Sequence, residues 1–177
     1  YERSATMRYF NGVAAAVFAT LGDLVPAGRL LRVMEVGAGT GGTTSSLLPA
    51  LDGMRTRYLF TDVSELFLDR ARERFAEYGF VDYGLYDLEK SPQEQGYAQS
   101  SFDVIVSANC VHASTDLRRA LKDLRGMLAP GGLLVLVEST VHMFWFDMTT
   151  GLIEGWQHFA DDLRDDNPLL PPEIWTD

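Results

Sequence analysis

The sequence predicts an α/β protein built on a doubly wound, mainly parallel sheet, and three observations predict it. Five short apolar runs alternate with helix-like stretches, the pattern of strands crossing over through helices. The first run empties into a glycine-rich loop, Gly37-Ala38-Gly39-Thr40-Gly41-Gly42. Polar residues then recur where the runs end, and ligands of such sheets sit at the carboxyl ends of the strands.

The elements follow in order. Residues 1–24 hold a helix-like run with Tyr9, Val13, Ala16 and Val17 at spacings of 3 and 4 and Gly22 near its end. After Pro26 and Gly28, residues 30–36 read as a buried strand feeding the glycine loop. A helix is expected from Thr43 to Leu51, shortened by Pro49. Residues 57–61 read as a second strand ending at Asp62, and Ser64 can cap a helix with Leu68, Ala71, Phe75 and Tyr78 on one face. A weaker third strand, residues 80–86, ends at Asp87, and residues 89–101 make a polar surface connection. Residues 102–108 form a fourth strand with a loop from Asn109 to Ser114. Thr115 can cap a helix carrying Leu117, Leu121, Leu124 and Leu128. Pro130-Gly131-Gly132 ends it, and Leu133 to Val137 is a fifth strand closed by Glu138. Residues 139–177 hold turns and helical pieces, with no terminal strand pair in view.

Composition narrows the function classes. The 177 residues are 46% hydrophobic and 23% charged, as in an ordinary globular domain. With 25 Asp and Glu against 15 Lys and Arg, the formal charge is −10, which disfavours nucleic acid as a partner because that binding depends on neutralising phosphates. No apolar stretch reaches the roughly 18 residues that span a membrane. The lone Cys110 makes no internal disulfide, and a reducing, cytoplasmic setting is expected. Met is absent at the start, so an excerpt of a longer chain is expected, organised as a lead-in (1–24), a cofactor-binding core (25–138) and a substrate-side segment (139–177).

The loop alone leaves the cofactor open. Gly37, Gly39 and Gly42 satisfy GxGxxG, the dinucleotide pattern, while Gly37, Gly39 and Gly41 satisfy the GxGxG of methyl-donor sites. Asp62 ends the second strand, where a carboxylate can accept from both hydroxyls of an adenosine ribose. Glu35 before the loop and Asp87 after the third strand tilt the balance toward S-adenosylmethionine, since acidic groups suit its cationic amine and sulfonium and repel a pyrophosphate. The alternatives are a structural carboxylate for Glu35, a helix cap for Asp62 and a turn for Asp87. In the usual order of a doubly wound sheet, the fourth and fifth strands are neighbours about 4.8 Å apart. His112 and Glu138 follow those strands, so they can meet, making His112 a candidate general base. No GxSxG elbow is present, Cys110 reads as a packing residue, and His142 and His158 form no metal spacing with His112. Two apolar groups, Met143, Phe144, Trp145, Phe146 and Met148, then Trp156 and Phe159, read as core or as the lining of an acyl-sized pocket.

Residues 35–44 and 61–64, the run Phe102-Asp103-Val104-Ile105, Asn109-Cys110-Val111-His112-Ala113, residues 128–132 and Gly151-Leu152-Ile153-Glu154-Gly155-Trp156 together resemble the methyltransferase domains embedded in modular polyketide synthases. The resemblance implies a Rossmann-like class I methyltransferase fold, here without the family's helical cap and last two strands. It implies S-adenosylmethionine as cofactor, S-adenosylhomocysteine as product, and His112 with Glu138 as the catalytic pair. The Gly37 to Gly42 loop would hold the methionyl part, Asp62 the ribose, and Asp87 with Leu88 the adenine edge, Asn109 also belonging to the cofactor site. The implied partners are neighbouring synthase domains and an acyl carrier protein bearing the polyketide on its phosphopantetheine arm, for which Arg118, Arg119, Lys122 and Arg125 offer a local basic face. The short lead-in favours a β-hydroxyl acceptor, and so O-methylation, over the α-carbon of a β-ketoacyl thioester. A nicotinamide-dependent dehydrogenase and a degenerate, non-catalytic scaffold remain as alternatives.

Overall fold

A strand that is apolar on both faces of its pleat must lie between two layers, and the first strand sets that arrangement. A computed structural model describes residues 5–143, 148–149, 152 and 157–176. Strand β1 (Leu31–Val36) is buried at every position except the half-buried Arg32. Strand β2 (Thr56–Asp62) pairs with it on one side, followed by β3 (Val81–Leu85). Strand β4 (Phe102–Ala108) pairs on the other side, followed by β5 (Leu128–Val137), so the parallel sheet has the order β3-β2-β1-β4-β5.

Period-two alternation sends successive side chains to opposite layers. Val33, Val104 and Val106 join one core with Phe18 of α1 (Ala5–Leu24), Leu47 of α2 (Thr44–Leu47) and Leu68 of α3 (Glu65–Arg74). Met34, Val36 and Ile105 join the other with Leu117, Leu124 and Met127 of α4 (Leu117–Met127). Each such fully buried side chain contributes about 1.5–3 kcal/mol. At the amino-terminal edge, Asp103 clamps β1 to β4 by accepting from the backbone N–H of Arg32 and from its guanidinium at 2.8 and 3.0 Å.

Several elements differ from the sequence reading. The lead-in is helical, but Tyr9, Val13, Ala16 and Val17 face outward and Asn11, Ala14 and Phe18 are buried. Apolar residues surround most of that helix, so spacing could not choose its inner face. The expected helix from Thr43 to Leu51 is one α-turn, followed by a 3₁₀ turn at Leu48–Ala50 that Pro49 opens. Ser64 precedes α3 without a side-chain cap; the backbone N–H of Ser64 donates to Asp62 Oδ1 at 3.0 Å. Tyr78 lies beyond the end of α3, edge-on to Phe80.

Asp116 rather than Thr115 caps α4, accepting from the Arg119 N–H at 3.0 Å. The Asp side chain one residue on is the better acceptor at a helix start. Strand β5 begins at Leu128, not Leu133. Leu128 pairs with Phe102 and Leu133 with Val104, so the Pro130-Gly131-Gly132 turn is a bulge within the strand.

The tail returns to the sheet's carboxyl edge, where the Ala160 N–H donates to Thr115 O, Leu169 and Leu170 are buried, and α5 (Pro172–Thr176) closes the described chain. Among the described residues there is no sixth or seventh strand, and no helix is long and apolar enough to cross a membrane.

Candidate functional site

The strand ends define one rim, and the glycine loop is its floor. Gly37, Gly39 and Gly41 have φ of +64°, +56° and +76°, a region side chains other than glycine disfavour. The loop is pinned to β2: the Ala38 N–H donates to Thr61 O and the Gly39 N–H to Asp62 Oδ2, both at 2.9 Å. A Cβ on Gly37 would lie 2.0 Å from Cys110 Sγ, whereas one on Gly39 would meet nothing nearer than 4.0 Å and would project into open space. That space is a cavity of about 230 Å³ bounded by Met7 and Asn11 of α1, the loop, and Ala108 and Asn109 at the end of β4. A cofactor laid on bare backbone fits here, because the loop presents amide groups and no side chain at Gly39.

Beside the cavity the loop after β4 turns back through Asn109, at φ +50°, into a 3₁₀ turn, Val111–Ala113. His112 lies on that turn and Glu138 at the end of β5. Nδ1 of His112 and Oε2 of Glu138 are 2.5 Å apart, both side chains being almost wholly buried. The other oxygen of Glu138 accepts from the backbone N–H groups of Cys110 (3.2 Å) and Val111 (3.0 Å). A carboxylate only accepts, so Nδ1 carries the shared proton and Nε2 is the basic nitrogen. Asn109 Oδ1 accepts from both the N–H and the hydroxyl of Ser139, locking the start of one loop to the start of the next. The Cys110 thiol is pushed up to about 12, first by burial and then by the Glu138 and Asp62 carboxylates, so it stays neutral and packs against Gly37.

The remaining sequence candidates divide. Asp62 is buried and its two oxygens hold the Gly39 and Ser64 N–H groups; each oxygen has a second lone-pair site. Asp87 folds into a turn, accepting from the Glu89 N–H and pairing with Lys90 at 3.1 Å, while Leu88 packs on the α4-side core. Glu35 does not reach the rim. Its Oε2 accepts from the hydroxyls of Thr44 and Tyr58, both at 2.6 Å, beneath the loop.

Residues 34–134, most of the strand-and-helix core, match the family model described as a methyltransferase domain. The chain belongs to that family. The methyltransferase domain is 42% identical over 164 residues to the non-reducing polyketide synthase mapC of Penicillium roqueforti, a match covering 90% of this chain and 6% of that protein. It superposes on the CurJ carbon methyltransferase with a TM-score of 0.91 at 44% identity, covering 94% of this chain and 44% of that one. It superposes on the trans-methyltransferase CalH, solved in complex with S-adenosylhomocysteine, with a TM-score of 0.82 at 33% identity, covering 98% and 51% of the two chains. The domain thus spans about half or less of these solved chains. The short lead-in is therefore no measure of cap size, and the oxygen acceptor drawn from it loses its ground.

Two residues of the site escaped the sequence reading. Asn11 of α1 accepts from the Thr43 hydroxyl at 3.1 Å and donates to Gly42 O at 3.3 Å, tying the lead-in helix to the glycine loop; the only signal was an Asn inside an apolar helical run. Arg164 donates to the backbone oxygens of His112 and Ser114; its signal was a lone cation among Asp161, Asp162, Asp165 and Asp166. Of the basic face on α4, Arg118 pairs with Asp162 and Arg119 with Asp123, so much of its charge is met within the domain. Of the apolar groups, Met143 and Met148 are exposed and Phe159 is half-buried beneath Arg164. Phe144, Trp145, Phe146 and Trp156, with most of the 151–156 motif, lie outside the described residues.

Glu35 gives the methyltransferase domain a pH-dependent stability. Burial pushes its carboxyl up to about 7 against the hydrogen bonds from Thr44 and Tyr58 that pull it down. The folded state thus holds a proton that the unfolded chain releases near 4.5. Stability present at pH 5 is therefore lost as pH rises through 7, by on the order of 2 kcal/mol. Unfolding titrations at pH 5 and pH 8 should show that loss, and Glu35→Gln, which keeps an acceptor without the charge, should flatten it. Parallel pH curves for the two proteins would refute the assignment.

Proposed function

We propose that this chain is the S-adenosylmethionine-dependent C-methyltransferase domain of a non-reducing polyketide synthase, acting on the α-carbon of a β-ketoacyl chain held by an acyl carrier protein. The observation that carries the reading is the buried His112–Glu138 pair beside a glycine-floored cavity. Support for carbon over oxygen comes from the likeness to CurJ, and support for the setting from mapC. When bound, S-adenosylmethionine supplies a methyl group on a sulfonium, an electrophile that needs no metal.

The residues of this chain then have separable tasks. Gly37, Gly39 and Gly41 shape the loop around the methionyl part, Asp62 offers its remaining lone pairs to the ribose, and Asp87 with Leu88 borders the adenine; Asn109 borders the same cavity. Glu35 acts from below, by holding Thr44 and Tyr58. His112 takes the acceptor's α-proton at Nε2, and Glu138 keeps the proton on Nδ1 and offsets the charge of the resulting imidazolium. The α-carbon between a ketone and a thioester is acidic enough for an imidazole base, whereas a β-hydroxyl is far less so, and this chemistry favours carbon independently. In this reading residues 25–138 serve as the donor-binding core and residues 139–177 as the substrate-side segment.

Labelled donor should be incubated with the full-length protein and with matched β-keto and β-hydroxy acyl carrier substrates, followed by mass spectrometry to locate the methyl. Label on the α-carbon of the β-keto substrate is expected. Label on oxygen of the β-hydroxy substrate, with none on carbon, would overturn the reading.

A further inference from the structure

Resting on the reading of His112 as the base, we propose that Arg164 is its positioning residue, a buried clasp that fixes the 3₁₀ turn carrying His112 in register with Glu138. The turn is gripped from both ends. At its start, Glu138 accepts from the N–H groups of Cys110 and Val111. After Ala113 the backbone becomes extended, so no continuing helix supplies donors for the His112 and Ser114 carbonyls. Arg164 supplies them: Nη1 donates to His112 O at 2.6 Å and Nη2 to Ser114 O at 2.7 Å, and Nη2 also reaches Thr115 O at 3.2 Å, which it shares with the Ala160 N–H.

The cation is built to stay there. Its side chain is fully buried and pairs with Asp161, whose Oδ2 lies 2.5 Å from Nη2 and whose Oδ1 accepts from Nε at 3.2 Å. Asp161 in turn accepts from the N–H groups of Leu117 and Leu163, anchoring the clasp to the first residue of α4. The Phe159 ring lies 5.3 Å from the guanidinium carbon. Burying a guanidinium is costly unless its donors and charge are met, and here one planar fork serves three carbonyls and a carboxylate. Lysine has the charge but not the fork. None of these groups touches the cavity, so Arg164 acts through His112; a displacement of about 1 Å at the base is enough to cost about 10²-fold in rate.

The test uses the full-length protein with two variants. Arg164→Met combined with Asp161→Asn removes the clasp without stranding a buried charge, and Arg164→Lys keeps the charge in case the first variant does not fold. Three quantities are measured: kcat and KM with a β-ketoacyl carrier substrate, the dissociation constant of S-adenosylhomocysteine, and the rate at which diethyl pyrocarbonate modifies His112, mapped by peptide mass with exposed His142 as reference. Both variants should lose at least tenfold in kcat, keep KM and the dissociation constant within about twofold, and expose His112 to modification at least fivefold faster with His142 unchanged. Wild-type kcat and wild-type protection of His112 in either folded variant would overturn the clasp. Faster modification with unchanged kcat, in a protein whose His112→Ala variant also methylates normally, would overturn the base reading and leave the clasp standing.

Discussion

Replacing His112 with Ala should lower methyl transfer by about 10²- to 10⁴-fold while leaving donor affinity within about twofold. The two effects separate because His112 is outside the cavity that the glycine loop floors, on a turn anchored independently of its side chain. Alignment of donor and acceptor supplies the larger share of catalysis, roughly 7 to 11 kcal/mol, so a residual rate above background should survive. Glu138→Gln should cost nearly as much as His112→Ala: with its amide oxygen held by the Cys110 and Val111 N–H groups, its amide N–H group faces Nδ1 and drives the proton onto Nε2, the wrong tautomer for a base. The double variant should be no slower than His112→Ala alone, because two groups that act as a unit are lost together. Turnover measured under donor saturation, alongside calorimetry with S-adenosylhomocysteine, checks all three. A normal rate in His112→Ala, or losses that multiply in the double variant, would show that the imidazole is not the base.

How much of this site could be read without coordinates depends on how far along the chain each contact reaches. Residues 102–108 lie between Ser101 and Asn109 with Val104-Ile105-Val106 at their centre, and the strand occupies those bounds. That His112 and Glu138 could meet was legible from topology, because parallel neighbours deliver their carboxyl ends to adjacent points, and the contact is present. Glu35 was placed on the rim by its nearness to the glycines, yet strand alternation already argued otherwise: it shares a face with Leu31 and Val33, which point into the core beneath α1 and α2. Asp62 was read as a ribose acceptor or a helix cap, and its contacts within the domain are of another kind: one oxygen holds the Gly39 N–H of the loop and the other the Ser64 N–H just before α3. Arg164 was illegible for a different reason. Its bond to His112 O joins residues 52 apart, and no periodicity or motif fixes where an irregular tail returns to a sheet.

Gly37→Ala should be the most damaging single substitution in the loop, with stability lost by about 3 kcal/mol or more. Left-handed backbone costs a residue with a Cβ about 1–2 kcal/mol, and overpacking adds about 1–3 kcal/mol. The overpacking cannot be relieved by a rotamer change. The new methyl would sit 2.0 Å from Cys110 Sγ and also 2.6 Å from Cys110 Cβ, and that Cβ is held by a backbone whose N–H donates to Glu138. Strain at the floor is thereby passed to the turn that carries His112, so turnover should fall together with the melting temperature. Gly39→Ala is the control: with nothing nearer than 4.0 Å to its added methyl, it should cost only the backbone strain but weaken donor binding by intruding on the cavity. Cys110→Gly in the Gly37→Ala background should restore part of the lost stability, since it removes both clashing atoms. Thermal unfolding with donor calorimetry on the three variants decides it; a Gly37→Ala protein that melts like wild type would mean that the loop and the His112 turn are not in contact.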